Sequence, residues 1–194
     1  MNSNITMLLM VGLCASELTL GQDYVLLSNG ESLDGKITIS NPSYIKFMSA
    51  AQEKIQKLSA DQINYVRSGY GYYYSKKVLT INTKHEATIN QLVRLSSWGR
   101  IRVYSYTEAF GRSPVIRHYM EKDDSGLILI GRTMGLMRIN NGLMLDPITE
   151  AVSNLFLDNP DLKNRFDADR QKGKRKVILK YVKEYNQWYQ NSLK

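Results

Sequence analysis

The residue types that perform most enzymatic chemistry are few in this chain, and they stand apart from one another. Its 194 residues include one cysteine, Cys14, and two histidines, His85 and His118. A zinc site of histidine and cysteine ligands needs more donors at close spacing. We therefore expect no metal, no cofactor and no histidine base, and we interpret both histidines as surface or sheet residues.

The acidic residues are scattered as well. Asp123 and Asp124 form a turn pair, and Asp167 and Asp169 have an Asp-x-Asp spacing that lacks the longer series of an EF-hand loop. The chain contains no G-x-S-x-G nucleophile elbow and no glycine-rich phosphate loop. We expect no catalytic residue and no enzymatic activity. The alternative is an envelope hydrolase, for which the fold would have to bring two carboxyl groups to roughly 5–9 Å from each other.

Tyrosine is the abundant functional side chain, with 13 copies in the sequence. Four of them are nearly contiguous and form the predicted aromatic surface: Tyr70, Tyr72, Tyr73 and Tyr74. Alternate tyrosines on a strand share one face and can stack against sugar rings, bases or an aromatic partner. The alternative is a strand with one aromatic face in the core and the other covering the sheet.

Positive charge is the second candidate feature. Lysine and arginine number 26 against 18 acidic residues, a net charge of +8, and they concentrate towards the C-terminus. The predicted basic surface comprises Lys174, Arg175, Lys176, Lys180 and Lys183. Such a surface fits an envelope protein, an anionic envelope component or nucleic acid. The alternative is an ordinary solvated helix face.

The N-terminus carries an apolar run over residues 5–15, which is shorter than the ~20 residues that cross a bilayer. Small residues at Thr19 and Gly21 precede a possible cleavage before Gln22, so the pattern predicts a signal peptide over residues 1–21. Export would place the protein in the periplasm or outer envelope, without a membrane span in the mature chain, and argues against nucleic acid as the partner. Residues 1–22 lack lysine and arginine, which leaves a buried N-terminal element as the alternative.

Cys14 raises the further possibility of a lipid anchor. Leu13, directly before it, is bulkier than the small residue expected before a lipidated cysteine. After removal of residues 1–21 the mature chain contains no cysteine, so it has no disulfide and no thiol chemistry.

Residues 22–68 have the pattern of short strands joined by tight turns. Asn29-Gly30 is a strong two-residue hairpin signal, and residues 33–39 alternate apolar and polar side chains. Ser59 and Gln62 have capping-box spacing, which predicts one helical or 3₁₀ turn. The segment resembles an SH3-like or Sm-like small barrel, a likeness carried by Leu26, residues 29–31, Leu33, residues 35–37, residues 44–47 and residues 58–63.

The pattern of residues 69–145 predicts a mixed sheet with one short helix, and that of residues 146–194 predicts helices. In residues 87–96, Ile89, Leu92, Val93 and Ser96 follow helical spacing, so a short amphipathic helix is expected there. Asn159-Pro160 is typical of a helix start. The predicted fold class is α+β, with an N-terminal barrel-like subdomain, a mixed middle and C-terminal helices.

The overall plan resembles an uncharacterised family of exported envelope proteins of Gram-negative bacteria. The likeness is carried by the opening motif at residues 23–47, by residues 92–104 and by the Tyr185-Asn186 pair. It implies an envelope location and no known activity. We therefore predict an exported, non-enzymatic binding or structural protein. The main alternative is a cytoplasmic nucleic-acid-binding protein with a basic C-terminal helix.

Overall fold

One antiparallel sheet forms most of the molecule. The computed structural model describes residues 23–49, 54–82, 85–110, 113–134, 137–139 and 145–194. Within these ranges eleven strands form a single sheet in the order β11-β10-β9-β8-β7-β6-β5-β1-β2-β3-β4. The strands are β1 Asp23–Leu27, β2 Ser32–Asn41, β3 Tyr44–Ser49, β4 Ile55–Ser59, β5 Ile63–Ser68, β6 Gly71–Asn82, β7 His85–Ser97, β8 Ile101–Phe110, β9 Ser113–Lys122, β10 Ile128–Met134 and β11 Met137–Ile139.

The first five strands lie where the turn signals predict them. Gly30 has a φ of +87° in the turn between β1 and β2, a conformation that glycine adopts without steric cost. Between β4 and β5 a 3₁₀ turn covers Ala60–Gln62, and the Ser59 backbone N–H donates to the Gln62 side chain at 2.9 Å. The turn and capping signals in the sequence therefore predict the backbone of these two turns correctly.

The predicted α+β fold class, with a barrel-like N-terminal subdomain and a mixed middle, is wrong, because one antiparallel sheet runs through both regions. A barrel of the first five strands would require β4 to close against β5. The two edges of β5 are instead occupied by β1 and β6, so the sheet continues into the rest of the chain and does not close. Residues 69–74 form the turn after β5 and the start of β6, through which the sheet continues.

The helix expected over residues 87–96 is strand β7, which pairs with β6 from Tyr73↔Arg94 to Asn82↔His85. Two adjacent apolar residues of this strand mimic helical spacing because residues 91–93 are buried on both faces of the sheet. Leu92 packs in the N-terminal core, and its neighbour Val93 packs in a separate cluster with Tyr104. Adjacent buried positions in a strand produce the same i, i+3, i+4 pattern as a helix face.

The C-terminal segment contains three helices, α1 Leu145–Asn154, α2 Pro160–Ala168 and α3 Arg175–Ser192. Asn159 caps α2 by accepting a hydrogen bond from the Leu162 N–H at 3.1 Å. The helices cover one face of the sheet, where apolar side chains of β8, β9 and β10 are buried against them: Ile101, Val103, Met120 and Ile130. No helix in the described part of the chain is long and apolar enough to cross a membrane.

Asn186 of α3 connects the helical layer to the start of β8 by two hydrogen bonds. Its side-chain amide donates to the Ile101 carbonyl at 2.9 Å and accepts from the Ile101 N–H at 2.9 Å. The approach is possible because residue 99 is glycine: a Cβ on Gly99 would lie 2.2 Å from the Asn186 amide nitrogen. The two hydrogen bonds of Asn186 therefore depend on glycine at residue 99, although 87 positions separate the two residues.

The opposite face of the sheet carries a tyrosine-rich cluster. Successive strand residues point to opposite faces, so Val103 lies under the helices and Tyr104 lies on the other side. There Tyr104, Tyr106 and Tyr119 are buried with Val78 and Val93. The candidate site lies on this tyrosine-rich face of the sheet.

Candidate functional site

The four predicted aromatic-surface residues do not form one surface. Tyr72 and Tyr74 share one face of β6, and Tyr73 lies on the other face, packed against the N-terminal core. Tyr70 stands in the turn before β6 with 73% of its surface exposed. The strand therefore divides the sequence cluster according to its two-residue period.

Tyr72 and Tyr74 instead line a cleft of about 330 Å³ with Tyr65, Leu95 and Trp98, which we call the aromatic cleft. Tyr65 pairs with Tyr74 across β5 and β6, and their ring centroids are 5.1 Å apart. The Tyr65 and Tyr72 rings are stacked, with a centroid separation of 6.0 Å and an interplanar angle of 16°. Trp98 and Tyr72 remain 65% and 47% exposed, so two aromatic rings are accessible at the cleft.

Tyr65, Leu95 and Trp98 were not found from the sequence. Tyr65 is 5 positions or more from the tyrosine run, and only the β5–β6 register places it opposite Tyr74. Leu95 was assigned to the incorrect helix over residues 87–96, and Trp98 lies two residues beyond its end. A tryptophan directly after this apolar segment was the one sequence signal that could have directed attention to the region.

The phenols of Tyr65 and Tyr74 are uncharged at neutral pH. Burial, followed by the proximity of Tyr74 and Tyr72, raises the pKa of Tyr65 to about 12. Burial also raises the pKa of Tyr74, against the opposing effect of the Arg102 guanidinium. Each hydroxyl can therefore both donate and accept a hydrogen bond.

A buried ionic cluster supports the cleft from the neighbouring strands. Glu121 is 1% exposed and accepts a hydrogen bond from the Tyr104 hydroxyl at 2.8 Å. Its carboxylate also contacts Lys76 at 2.7 Å and Arg102 at 3.2 Å. The Tyr104 ring in turn packs edge-on against Tyr74, with centroids 5.9 Å apart. Glu121 thus holds together β6, β8 and β9 behind the aromatic cleft.

The same two cations bind Asp124, which stands in the turn after β9. Its contacts are 3.2 Å to Lys76 and 2.7 Å to Arg102. The hydrogen bond from Lys76, with the charge of Arg102, lowers the pKa of Asp124, so this group is a carboxylate at neutral pH. Glu121 and Asp124 are each paired with the same two cations, an arrangement that favours a structural role over that of a hydrolase carboxyl pair.

The described residues contain no group of three His, Cys, Asp or Glu side chains that could hold a metal ion. His85 begins β7, and His118 lies in β9 with its Nε2 3.4 Å from the Thr133 hydroxyl. Burial and the charge of Arg175 lower the pKa of His118 to about 4. His118 is therefore neutral in the folded protein at neutral pH.

We expect His118 to make the protein less stable in mild acid. The pKa of His118 is about 4 when folded and about 6.5 when unfolded. Between these values the unfolded state binds the additional proton, so stability falls as the pH drops from 6.5 to 4. The slope is at most about 1.4 kcal/mol per pH unit, and less for a ring that retains some solvent contact. Urea unfolding at pH 7 and pH 4.5 should show a smaller acid loss in His118→Gln than in the wild type.

His85→Gln is the matched control, because it removes the other histidine of the chain. It should retain the wild-type dependence on pH. Parallel curves for the wild type and His118→Gln would contradict the assigned role of His118.

Four of the five residues of the predicted basic surface are exposed on α3 or directly before it. Lys176, Lys180 and Lys183 are exposed on the outer side of α3, and Lys174 is exposed just before the helix. None of these four forms a salt bridge within the described part of the chain. Arg175 is separate from them, because it is partly buried and acts on His118. Since α3 covers the Val103 face, the lysines and the aromatic cleft lie on opposite sides of the sheet.

No protein-family model, no curated protein sequence and no solved structure matches this chain. The resemblance to exported envelope proteins therefore stays a prediction. The function has to be inferred from the geometry of the site itself.

Proposed function

We propose that this chain is an exported, non-enzymatic binding protein of the bacterial envelope, and that the aromatic cleft is its ligand site. The observation that carries the proposal is the set of side chains at the cleft: Tyr65, Tyr72, Tyr74, Leu95 and Trp98. Ligand sites are concave, mostly apolar and aromatic, with volumes from about 300 Å³ upward. Exposed tryptophan and tyrosine rings are also the side chains that contribute most to binding energy at interfaces.

Export rests on the leader pattern of residues 1–21, which lie outside the described residues. Strand β1 begins at Asp23, directly after the proposed mature N-terminus at Gln22. A cut before Gln22 would leave this strand intact. The exposed lysines of α3 support a second contact with an anionic envelope component, on the side away from the cleft.

The export part is tested by expressing the full chain in a Gram-negative host and measuring the intact mass of the protein in the envelope fraction. We expect a mass that begins at Gln22. A cytoplasmic protein that retains Met1 would contradict export and would favour the nucleic-acid alternative.

The binding part is tested by co-sedimentation of the purified protein with isolated cell envelopes. We expect Trp98→Ala to reduce the sedimented fraction several-fold, because it removes the most exposed ring of the cleft. Tyr70→Ala is the matched control, since Tyr70 is at least as exposed as Trp98 but does not line the cleft. Equal sedimentation of all three proteins would rule out the aromatic cleft as the site.

A further inference from the structure

We propose that the aromatic cleft binds an uncharged saccharide ring. This inference rests on the proposed function and specifies its ligand class. The lining consists of three tyrosines, a leucine and a tryptophan, so no charged side chain faces the ligand. Placing a charged ligand group there would remove its hydration without providing a counter-charge.

The accessible aromatic rings favour a flat apolar surface on the ligand. Tyr72 and Trp98 are the exposed rings, and Tyr65 supports Tyr72 from behind by stacking. The Tyr65–Tyr72 stack restrains Tyr72 before any ligand arrives, which lowers the entropic cost of binding. A pyranose ring has an apolar C–H face of the kind that packs on such side chains.

The hydroxyl groups of the cleft distinguish a saccharide from a purely apolar ring. Within the described part of the chain, the hydroxyls of Tyr65, Tyr72 and Tyr74 form no hydrogen bond, and none of them is a buried unsatisfied atom. They are therefore accessible as donors and acceptors. A saccharide presents hydroxyls around its apolar face and can use both properties of the cleft together.

The surrounding charges argue against a quaternary ammonium ligand, the other common occupant of aromatic cages. Arg67 lies opposite Tyr72 in the sheet register, and Arg102 is close enough to affect the pKa of Tyr74. The charge of Arg102 is balanced by Glu121 and Asp124, and the lining of the cleft offers a cationic ligand no carboxylate. A nucleobase would stack but would leave most of the phenolic hydroxyls unused.

The test uses the Trp188→Phe variant, in which Trp98 is the single tryptophan of a chain that has two. Trp188 lies on α3, on the far side of the sheet from the cleft. The probes are maltohexaose, cellohexaose and chitohexaose, with choline chloride and oligothymidylate as competitors of other chemistry. We expect at least one oligosaccharide to produce a saturable change in Trp98 emission. Tyr72→Ala in this background should weaken that binding about tenfold, and Tyr70→Ala should leave it unchanged.

The inference is overturned if no oligosaccharide changes the emission, or if choline or oligothymidylate binds more tightly than every sugar. In that case Trp98-dependent sedimentation with envelopes would still support the proposed function. If sedimentation with envelopes did not depend on Trp98, the proposed function alone would be refuted, because the sugar titration uses the purified protein without envelopes.

Discussion

Replacing Gly99 by alanine is expected to destabilise the protein by about 2–5 kcal/mol, because the new methyl group displaces the Asn186 side chain. The added Cβ would lie 2.2 Å from the amide nitrogen, far inside van der Waals contact. Expulsion of Asn186 would leave the buried N–H and C=O groups of Ile101 without their partners. A buried polar group that loses its partner costs about 1–3 kcal/mol.

The mechanism is tested by a double-mutant cycle measured by urea unfolding. Asn186→Ala removes the clashing side chain, so Gly99→Ala should cost less in that background than in the wild type, and the remaining cost is that of placing alanine at a φ of +155°. Gly69→Ala is the control, since a Cβ at Gly69 meets nothing within 4 Å. Additive effects of the two substitutions would show that the strain lies in the backbone of residue 99 and not in its contact with Asn186.

The second large effect is expected at Glu121. Glu121→Ala should lower the free energy of unfolding by about 3–5 kcal/mol, since it leaves the Tyr104 hydroxyl without its acceptor and two partly buried cations without their buried carboxylate. Glu121→Gln should cost less, because its amide oxygen can still accept from Tyr104. Thermal or urea unfolding of the purified variants measures both values.

Asp124→Asn provides the matched control for Glu121. Asp124 contacts the same two cations, but its side chain is 73% exposed, so the pair is screened by solvent. We expect a loss below about 1 kcal/mol, and asparagine also tolerates the φ of +57° at this position. A loss in Asp124→Asn as large as that in Glu121→Ala would mean that burial does not govern this cluster.

Local structure was largely predictable from the sequence. The Asn29-Gly30 turn, the 3₁₀ turn after Ser59 and the cap of α2 at Asn159 each depend on side chains within a few residues. Such interactions are encoded in adjacent sequence, so turn and capping rules find them. The alternation of β2 likewise predicted a strand with one face in the core.

The candidate site was only partly predictable. Tyr72 and Tyr74 were identified by composition, but Tyr70 and Tyr73 point elsewhere, and Trp98 lies 24 residues beyond Tyr74. The partner of each strand decides which tyrosines meet, and a pairing register is not visible in one sequence. The incorrect helix over residues 87–96 has the same cause, because the burial of residues 91–93 on both faces of the sheet depends on distant segments.

The sequence by itself determined the turns, the caps, the excess of positive charge and the scarcity of catalytic side chains, because composition and short-range hydrogen bonds do not depend on the rest of the chain. Only the tertiary structure decided that the sheet stays open, that Asn186 meets Gly99 and that Tyr65 and Trp98 complete the aromatic cleft. These features arise from contacts between distant segments, which form only when the strands pair and the helices pack against them.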